Sequence, residues 1–486
     1  MSCASSPNCA GVCATDRITR RFSERHYPRR MAPSPSIVWL RDDLRVTDNP
    51  ALHAAAERGG PVVVLYVLDE QSPGARPLGG ASRWWLHGSL SALADDLAEL
   101  GASLTLRRGS ATDVLPALIT ETDAGAVFWN RRYGALRDVD AALKSSLIAS
   151  GITVASFAGS LLYEPWKVTS GSGDPYRVFT PFWRACLASG DPRPPLPAPP
   201  SLSGFTVDSD TLDDWNLLPT RPDWAAGLRS EWTPGSGGAH ERLEQFIEHG
   251  LPLYHRRDEP GIEGTSRLSP HLRFGELSPH QIWARVHEQL APAAAKNRAK
   301  FLSEIGWREF SYSILFHAPD IATVNVRRDF DVFPWGNPLA GELEAWQQGR
   351  TGIPLVDAGM RQLWNTGWMH NRVRMVVASL LTKNLLIDWR IGEQWFWHTL
   401  VDADEANNAA SWQWVAGSGA DAAPYFRVFN PVLQADRFDP DRVYVRQWVP
   451  EFETPEYPTP IVDLAVSRRE ALEAYEVVKA AKGTRA

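Results

Sequence analysis

Apolar runs and helical spacing divide this chain into two unlike halves. SIVWL (36–40) and PVVVLYVLD (61–69) are continuous apolar stretches of strand length, the pattern of strands buried on both faces. Beyond them the spacing turns helical, most clearly over the amphipathic run Ala81–Leu100. Further short strands are expected near Ser103–Leu106, Ala126–Trp129 and Thr153–Phe157. Strands spaced by helices predict a doubly wound parallel α/β domain over 35–165, with helices on both faces. No G-x-G-x-x-G follows the first strand, so the usual dinucleotide fingerprint is absent, and the sheet alone says nothing of function.

The pattern then changes. PRPPLPAPP (192–200) is expected to be extended, inside a linker spanning 166–238 with a flexible end at Gly235–Gly238. From Ala239 onward 3.6-residue periodicity dominates, and helices are predicted over 239–249, 278–290, 296–316, 340–349, 355–366, 370–386 and 392–399. The expected layout is α/β plus all-α: an N-terminal α/β domain, a long linker and a helical domain over 239–486. Residues 1–34 read as a disordered leader, or as sequence upstream of a true start at Met31; they lack the apolar core of a signal peptide.

Composition narrows the classes. At 486 residues, 44% hydrophobic and 22% charged, the chain suits a soluble protein of two or three domains, and without an eighteen-residue apolar run no membrane span is expected. A net charge of −7 and a pI of about 6.0 argue against non-specific coating of nucleic acid, so DNA binding requires a local basic patch. Three of the four cysteines (Cys3, Cys9, Cys13) crowd the start and Cys186 stands alone. That is no disulfide framework and fits a reducing cytoplasm; a metal site from the three is discounted. The 21 tryptophans are a surplus. Tryptophan is core filler by default, but such a surplus also suits base stacking, a flat cofactor or electron transfer.

Four segments carry chemistry. GTSRLSPHLRFGELSP (264–279) places hydroxyl residues and an arginine at a helix start, which suits a phosphate or an ordinary capped loop. SEIGWREFSYSILF (303–316) puts Glu304, Trp307, Arg308 and Ser311 on one helical face, either lining a polar pocket or forming an intrahelical ion pair beside a core indole. In TGWMHNRVRM (366–375), Trp368, Asn371, Arg372 and Met375 fall on adjoining faces, beside Arg374. They suit a planar charged ligand or a phosphate-contacting groove; His370 reads as a hydrogen-bonded core histidine. VDADEANNAASWQW (401–414) supplies Asp402, Asp404, Asn407 and Asn408. With no His or Cys cluster beside the aspartates, metal is discounted, and acceptors plus a fixed amide suit a flavin.

These segments, in this order, resemble the photolyase/cryptochrome family over roughly residues 36–450. The resemblance is strongest in GTSRLS, WREF, TGWMHNRVRM, LLIDWR and DADEANNAASWQWVAGSGADAAPYFRVFNP (402–431). It implies FAD in the helical domain. By motif, Tyr254 and the run Thr265, Ser266, Arg267, Leu268 and Ser269 would hold the diphosphate side. Arg308, Trp368, Asn371 and Arg374 would line the flavin pocket, and Phe301 occupies a place where some relatives carry tryptophan. Asp402 and Asp404 would serve the sugar chain and the ring, and Asn408 would face flavin N5.

The resemblance further implies repair of cyclobutane pyrimidine dimers by an electron from excited reduced FAD. Glu304 and Asn371 would hydrogen-bond the damaged bases, and Trp307, Trp368 and Met375 would pack against them. Arg308, Arg372, Arg374 and Arg427 would neutralise phosphates. Trp412, Trp389 and the surface-facing Trp335 resemble the family's electron relay. His370–Asn371, rather than two adjacent histidines, matches the cyclobutane-dimer enzymes and a bacterial class I-like branch. The rival is a cryptochrome photosensor, whose usual signalling tail has no counterpart after VRQWVPEF (445–452). The α/β domain often carries an antenna chromophore, a deazaflavin or a folate. WNRRYG (129–134), with Arg41–Asp43 and Arg45, is where it is expected, and the want of a nearby glutamate puts folate in doubt. The partner expected is damaged DNA; the protein is expected to be a monomer.

Overall fold

The computed structural model describes residues 33–289, 294–336, 341–422 and 426–483; the leader with Cys3, Cys9 and Cys13 lies outside them. Five parallel strands, β1 (Ser36–Leu40), β2 (Pro61–Leu68), β3 (Leu104–Arg108), β4 (Ala126–Asn130) and β5 (Thr153–Phe157), lie in the order β3-β2-β1-β4-β5. Helices α1 (Pro50–Arg58), α2 (Gly80–Glu99), α3 (Ala111–Thr122) and α4 (Arg137–Ala149) alternate with them. Successive strand residues point to opposite faces. Val38, Leu40, Val64 and Tyr66 therefore join one core, while Ile37, Trp39, Val63 and Leu65 join another on the far side. This is the doubly wound sheet that the apolar runs predict. The strand order reverses between β1 and β4, which opens a crevice at their carboxyl ends.

The connecting segment is more structured than its proline content suggests. It carries α5 (Phe179–Ala188), a short β6 (Ser203–Gly204) paired with β2, and α6 (Ala226–Glu231). Its Trp215, Leu217, Leu228 and Trp232 are buried in the α/β core. The expected flexible end is corrected as well. Gly235 takes φ 107°, a conformation that favours glycine, and from there α7 (Ser236–Gln245) begins.

The helical half contains α8 (Ser269–Phe274), α9 (Pro279–His287), α10 (Ala295–His317), α11 (Glu342–Gln347), α12 (Pro354–Thr366) and α13 (Asn371–Ser379). It continues through α14 (Trp389–Thr399), α15 (Asn407–Ala416), α16 (Pro431–Phe438), α17 (Val443–Trp448) and α18 (Leu464–Gly483). No described helix is long and apolar enough to cross a membrane.

The two halves share one interior. Trp84 and Trp85 of α2 pack in the same cluster as Trp232, Phe274, Trp368 and Val401. At its centre Glu276, fully buried, accepts from Trp85 Nε1 (2.8 Å) and the Gly235 amide (2.8 Å) and lies 2.5 Å from His271 Nδ1. Arg45, 1% exposed, donates to the carbonyls of Gly275 (2.8 Å) and Gly159 (2.7 Å), so it ties the halves together and lines no open cleft. Much of the tryptophan surplus is thus structural.

Glu309 on α10 makes a comparable tie. Its carboxylate accepts from the Tyr163 amide at 3.1 Å, and burial pushes its pKa up to about 7. A raised carboxyl pKa contributes stability that is complete below its ordinary value and is lost as pH rises through 7. Glu309→Gln, neutral throughout, is expected to gain on the parent by up to roughly 3 kcal/mol between pH 5 and pH 8. Urea unfolding at both pH values checks this; a constant difference rules out titration of Glu309 there.

Candidate functional site

α13 is the wall on which the site is built. Its N-cap, His370, accepts from the Arg372 amide at 3.2 Å and contacts the Arg257 carbonyl at 2.9 Å through Nε2. Burial pulls this imidazole down to about 4, so it is neutral and structural, as expected. One turn on, Arg374 grips Asp402 with both guanidinium nitrogens (3.1 and 2.8 Å) and the Met369 carbonyl with Nε (2.7 Å). Ser269, at the start of α8, donates to the same carboxylate at 2.7 Å. One aspartate therefore joins the 264–269 loop, α13 and the 402–408 loop, three stretches far apart in sequence.

Asp404 organises the next turn. It accepts from the Ala406 amide (2.8 Å), the Asn407 amide (2.5 Å) and Asn407 Nδ2 (2.7 Å), which fixes the start of α15. Burial raises its pKa against the pull of these donors. Asn408 follows, 8% exposed. Its Nδ2 is held by the Glu393 carboxylate (2.8 Å) and carbonyl (3.0 Å), while its Oδ1 has no partner among the described residues. A nearly buried, unpartnered amide oxygen is an acceptor awaiting a ligand.

An open cavity is lined by Thr265, Arg267, Gln362, Trp368, His370 and Tyr444, among others. Arg267 spends its charge on Glu231 and lies over the Trp368 ring at 4.9 Å. Ser266 Oγ accepts from the Leu268 amide at 3.4 Å, and Leu268 is buried. Tyr254 and Phe301 are not open pocket walls: 5% and 2% exposed, they pack edge-on at 5.4 Å in a trio with Phe246.

The expected dimer contacts sit differently. Asn371 is exposed and its amide makes no hydrogen bond among the described residues. Glu304 is paired with Lys300 (2.7 Å) and, more loosely, with Arg257 (3.7 Å). Trp307 is half-buried and stacks on Phe179 of α5, centroids 3.8 Å apart at 9°. Met375 is half-buried against the helical core.

Most of the expected phosphate contacts are engaged within the protein. Arg308 has a side chain only 10% exposed, donates to the Ser160 carbonyl (2.8 Å) and lies over Tyr312 (4.7 Å). Arg374 is committed to Asp402, since a guanidinium this enclosed takes the nearest carboxylate. Arg372 pairs with Asp258 at 3.0 Å and lies over Phe438 at 4.4 Å. Arg427 lies between Trp414 and Phe429. Reasoning from motifs missed Arg177, two residues before Phe179, which is exposed and has no side-chain partner among the described residues. Its only clue in the sequence was an unpaired cation in a polar turn.

Of the three tryptophans expected to form a relay, Trp412 and Trp389 are 2% and 0% exposed, and Trp335 is half-buried. Trp412 fits against Gly392, where an added Cβ would lie 2.2 Å from the indole, and Trp389 Nε1 donates to Asn325 at 3.0 Å.

In the α/β half, Arg41 follows β1 and Asn130 ends β4 at the strand-order reversal. Trp39 Nε1, Arg41 Nε and Nη1, and Asn130 Oδ1 are buried without protein partners among the described residues. Burial pulls the Arg41 pKa down to about 10. Glu164, outside the WNRRYG stretch, meets Arg131 Nε at 3.1 Å.

The chain belongs to the photolyase/cryptochrome family. Residues 36–201 match the model described as DNA photolyase, and residues 301–456 match the FAD binding domain of DNA photolyase. It is 49% identical over 475 residues to deoxyribodipyrimidine photo-lyase of Agrobacterium fabrum, covering 92% of this chain and 98% of that one. It is 41% identical over 433 residues to cryptochrome-1 of Arabidopsis thaliana, covering 86% of this chain and 63% of that one. The crystal structure of a bacterial class III photolyase from Agrobacterium tumefaciens superposes with a TM-score of 0.88 at 48% identity, covering 93% and 99%. The class I-like affinity expected from the motifs finds no support in these likenesses. The residues present fit FAD: hydroxyls at the start of α8 for a diphosphate, the Arg374–Asp402 pair, and the free Asn408 oxygen for a ring N–H.

Proposed function

We propose that this protein repairs cyclobutane pyrimidine dimers in DNA, driven by light, as a photolyase of class III affinity. The observation that carries the reading is the single turn of α13 that bears both the Arg374 grip on Asp402 and the unengaged Asn371 amide. Residues three apart on a helix are neighbours, so cofactor and lesion share a wall. Bound FAD, reduced and excited by blue light, supplies the electron that splits the dimer and takes it back.

The chain's own residues do the rest. Asn371 offers donors and an acceptor to the bases, and Trp368 and Trp307 offer flat faces. Met375 supplies a polarisable edge. A dimer must leave the helical stack to reach this wall, and damage lowers that cost. Arg372, Arg427 and Arg177 would supply the phosphate contacts that an acidic protein needs, so binding should weaken with salt. Trp412, Trp389 and Trp335 form the route by which electrons enter from solvent.

The crevice at β1 and β4 supports a second, planar, hydrogen-bonding chromophore, because ligands settle where strand order reverses and four polar atoms wait there. A deazaflavin and a folate both meet that description.

The test is repair of a thymine-dimer oligonucleotide by the reduced, FAD-loaded protein, in blue light and in darkness. Light-dependent recovery of thymines is the expected result, and an action band absent from FAD alone would mark the second chromophore. Bound FAD without repair would transfer the reading to a photosensor.

A further inference from the structure

The Asn408 amide is fixed from one side. Glu393, which takes its Nδ2, is 2% exposed and is itself held by Arg76, whose Nη1 and Nη2 each lie 2.7 Å from one carboxylate oxygen. Arg76 comes from the other half of the molecule, in the loop between β2 and α2. It lies 3.9 Å over the Trp397 ring, and Trp397 Nε1 donates to the Pro77 carbonyl at 2.9 Å. At Gly79 an added Cβ would fall 2.1 Å from the Trp397 carbonyl oxygen. The loop is thus clamped onto α14, and the chain Arg76, Glu393, Asn408 has little freedom.

An amide is nearly symmetric in shape but not in polarity. With a carboxylate holding its NH2, Asn408 can present only its oxygen to a ligand. A reduced flavin carries an N–H at N5, where the oxidised ring carries a lone pair. An amide oxygen at that position therefore favours the reduced ring, and an amide N–H favours the oxidised one. Two parallel hydrogen bonds from a guanidinium keep the carboxylate in place with its accepting edge toward Asn408.

We propose that Arg76 is a positioning residue that sets the redox preference of the bound flavin, by holding Glu393 so that Asn408 shows its oxygen. The proposal rests on the reading that FAD lies against Asn408. Without the guanidinium, the buried carboxylate loses its counter-charge and its fixed geometry, and the Asn408 amide keeps only the Glu393 carbonyl as a fixed acceptor. Glu393→Gln makes the same argument without changing shape. Arg76 would claim the Gln oxygen and the Gln NH2 would face the Asn408 NH2, which favours a flipped Asn408 amide against its one remaining bond, to the carbonyl of residue 393.

The test is the midpoint potential of bound FAD, read spectroscopically, in the full protein and in Arg76→Ala, Arg76→Lys and Glu393→Gln. Arg76→Ala and Glu393→Gln are expected to hold at least tenfold less reduced flavin at a fixed potential, a midpoint lower by about 30 mV for a two-electron couple. Arg76→Lys should recover part of the shift, since it restores charge without the fork. If Arg76→Ala fails to fold or to keep FAD, the isosteric Glu393→Gln decides. An unmoved midpoint in a variant that retains FAD overturns the proposal. Light-dependent repair by chemically reduced protein would then leave the photolyase reading intact, whereas absence of FAD from the unsubstituted protein overturns both.

Discussion

Arg374→Ala is expected to strip FAD from the protein. Arg374 supplies two of the three side-chain hydrogen bonds to Asp402, whose side chain is only 3% exposed. Removing it leaves a buried carboxylate answered by the Ser269 hydroxyl alone. Breaking one partner out of such a pair costs about 3–5 kcal/mol. If that cost falls on the ligand-ready arrangement of the 264–269 and 402–408 loops, FAD affinity drops by about 150- to 5000-fold. Flavin content after desalting, and titration of the apoprotein with FAD, measure it. Arg374→Lys should fall between, because an ammonium restores the charge and one bond. Retention of FAD at parental affinity in the alanine variant would make the pair a structural strut with no share in the pocket.

Trp412→Phe should separate two events that share one flavin. In the proposed relay, photoreduction draws an electron through Trp412, and phenylalanine is far harder to oxidise than an indole. A slowing of at least about tenfold is expected, equivalent to about 1.4 kcal/mol of barrier. Repair by protein already reduced with dithionite should be unchanged, since dimer splitting borrows and returns its electron without this ring. Because Trp412 fits so closely against Gly392, the smaller ring leaves a void and a modest loss of stability. Flash photolysis of the oxidised protein and a repair assay on the reduced one distinguish the outcomes. Loss of repair by reduced protein would place Trp412 in the splitting step.

Local pattern revealed the fold where one periodicity ruled. The buried runs at 36–40 and 61–69 announced a parallel sheet because both faces are covered, and the helices of the second half kept their 3.6 spacing. The connecting segment misled because its prolines and glycines describe a flexible chain, while Trp215 and Trp232 dock it into a core contributed from elsewhere. The site was legible as a set of motifs, not as a set of contacts. Asp402 and Arg374 could be named from the sequence, but that they grip each other could not. Nor could it be seen that Arg308 and Arg374 are taken up by the Ser160 carbonyl and Asp402. Arg76 was invisible, since nothing local distinguishes it from any other surface arginine. Its meaning comes wholly from Glu393, more than three hundred residues away.

The interior shared by Trp85, Trp232, Phe274 and Trp368 has a consequence for how this protein can be altered. Its halves look like modules, match separate family models and each hold a core of their own, yet a further hydrophobic core crosses the boundary between them. Grafting the α/β half of a relative onto this helical half would bring foreign side chains against Glu276 and His271 and leave their bonds unmet. Such chimaeras should work only when the buried seam travels with the graft, so the useful unit of exchange is the seam, not the domain.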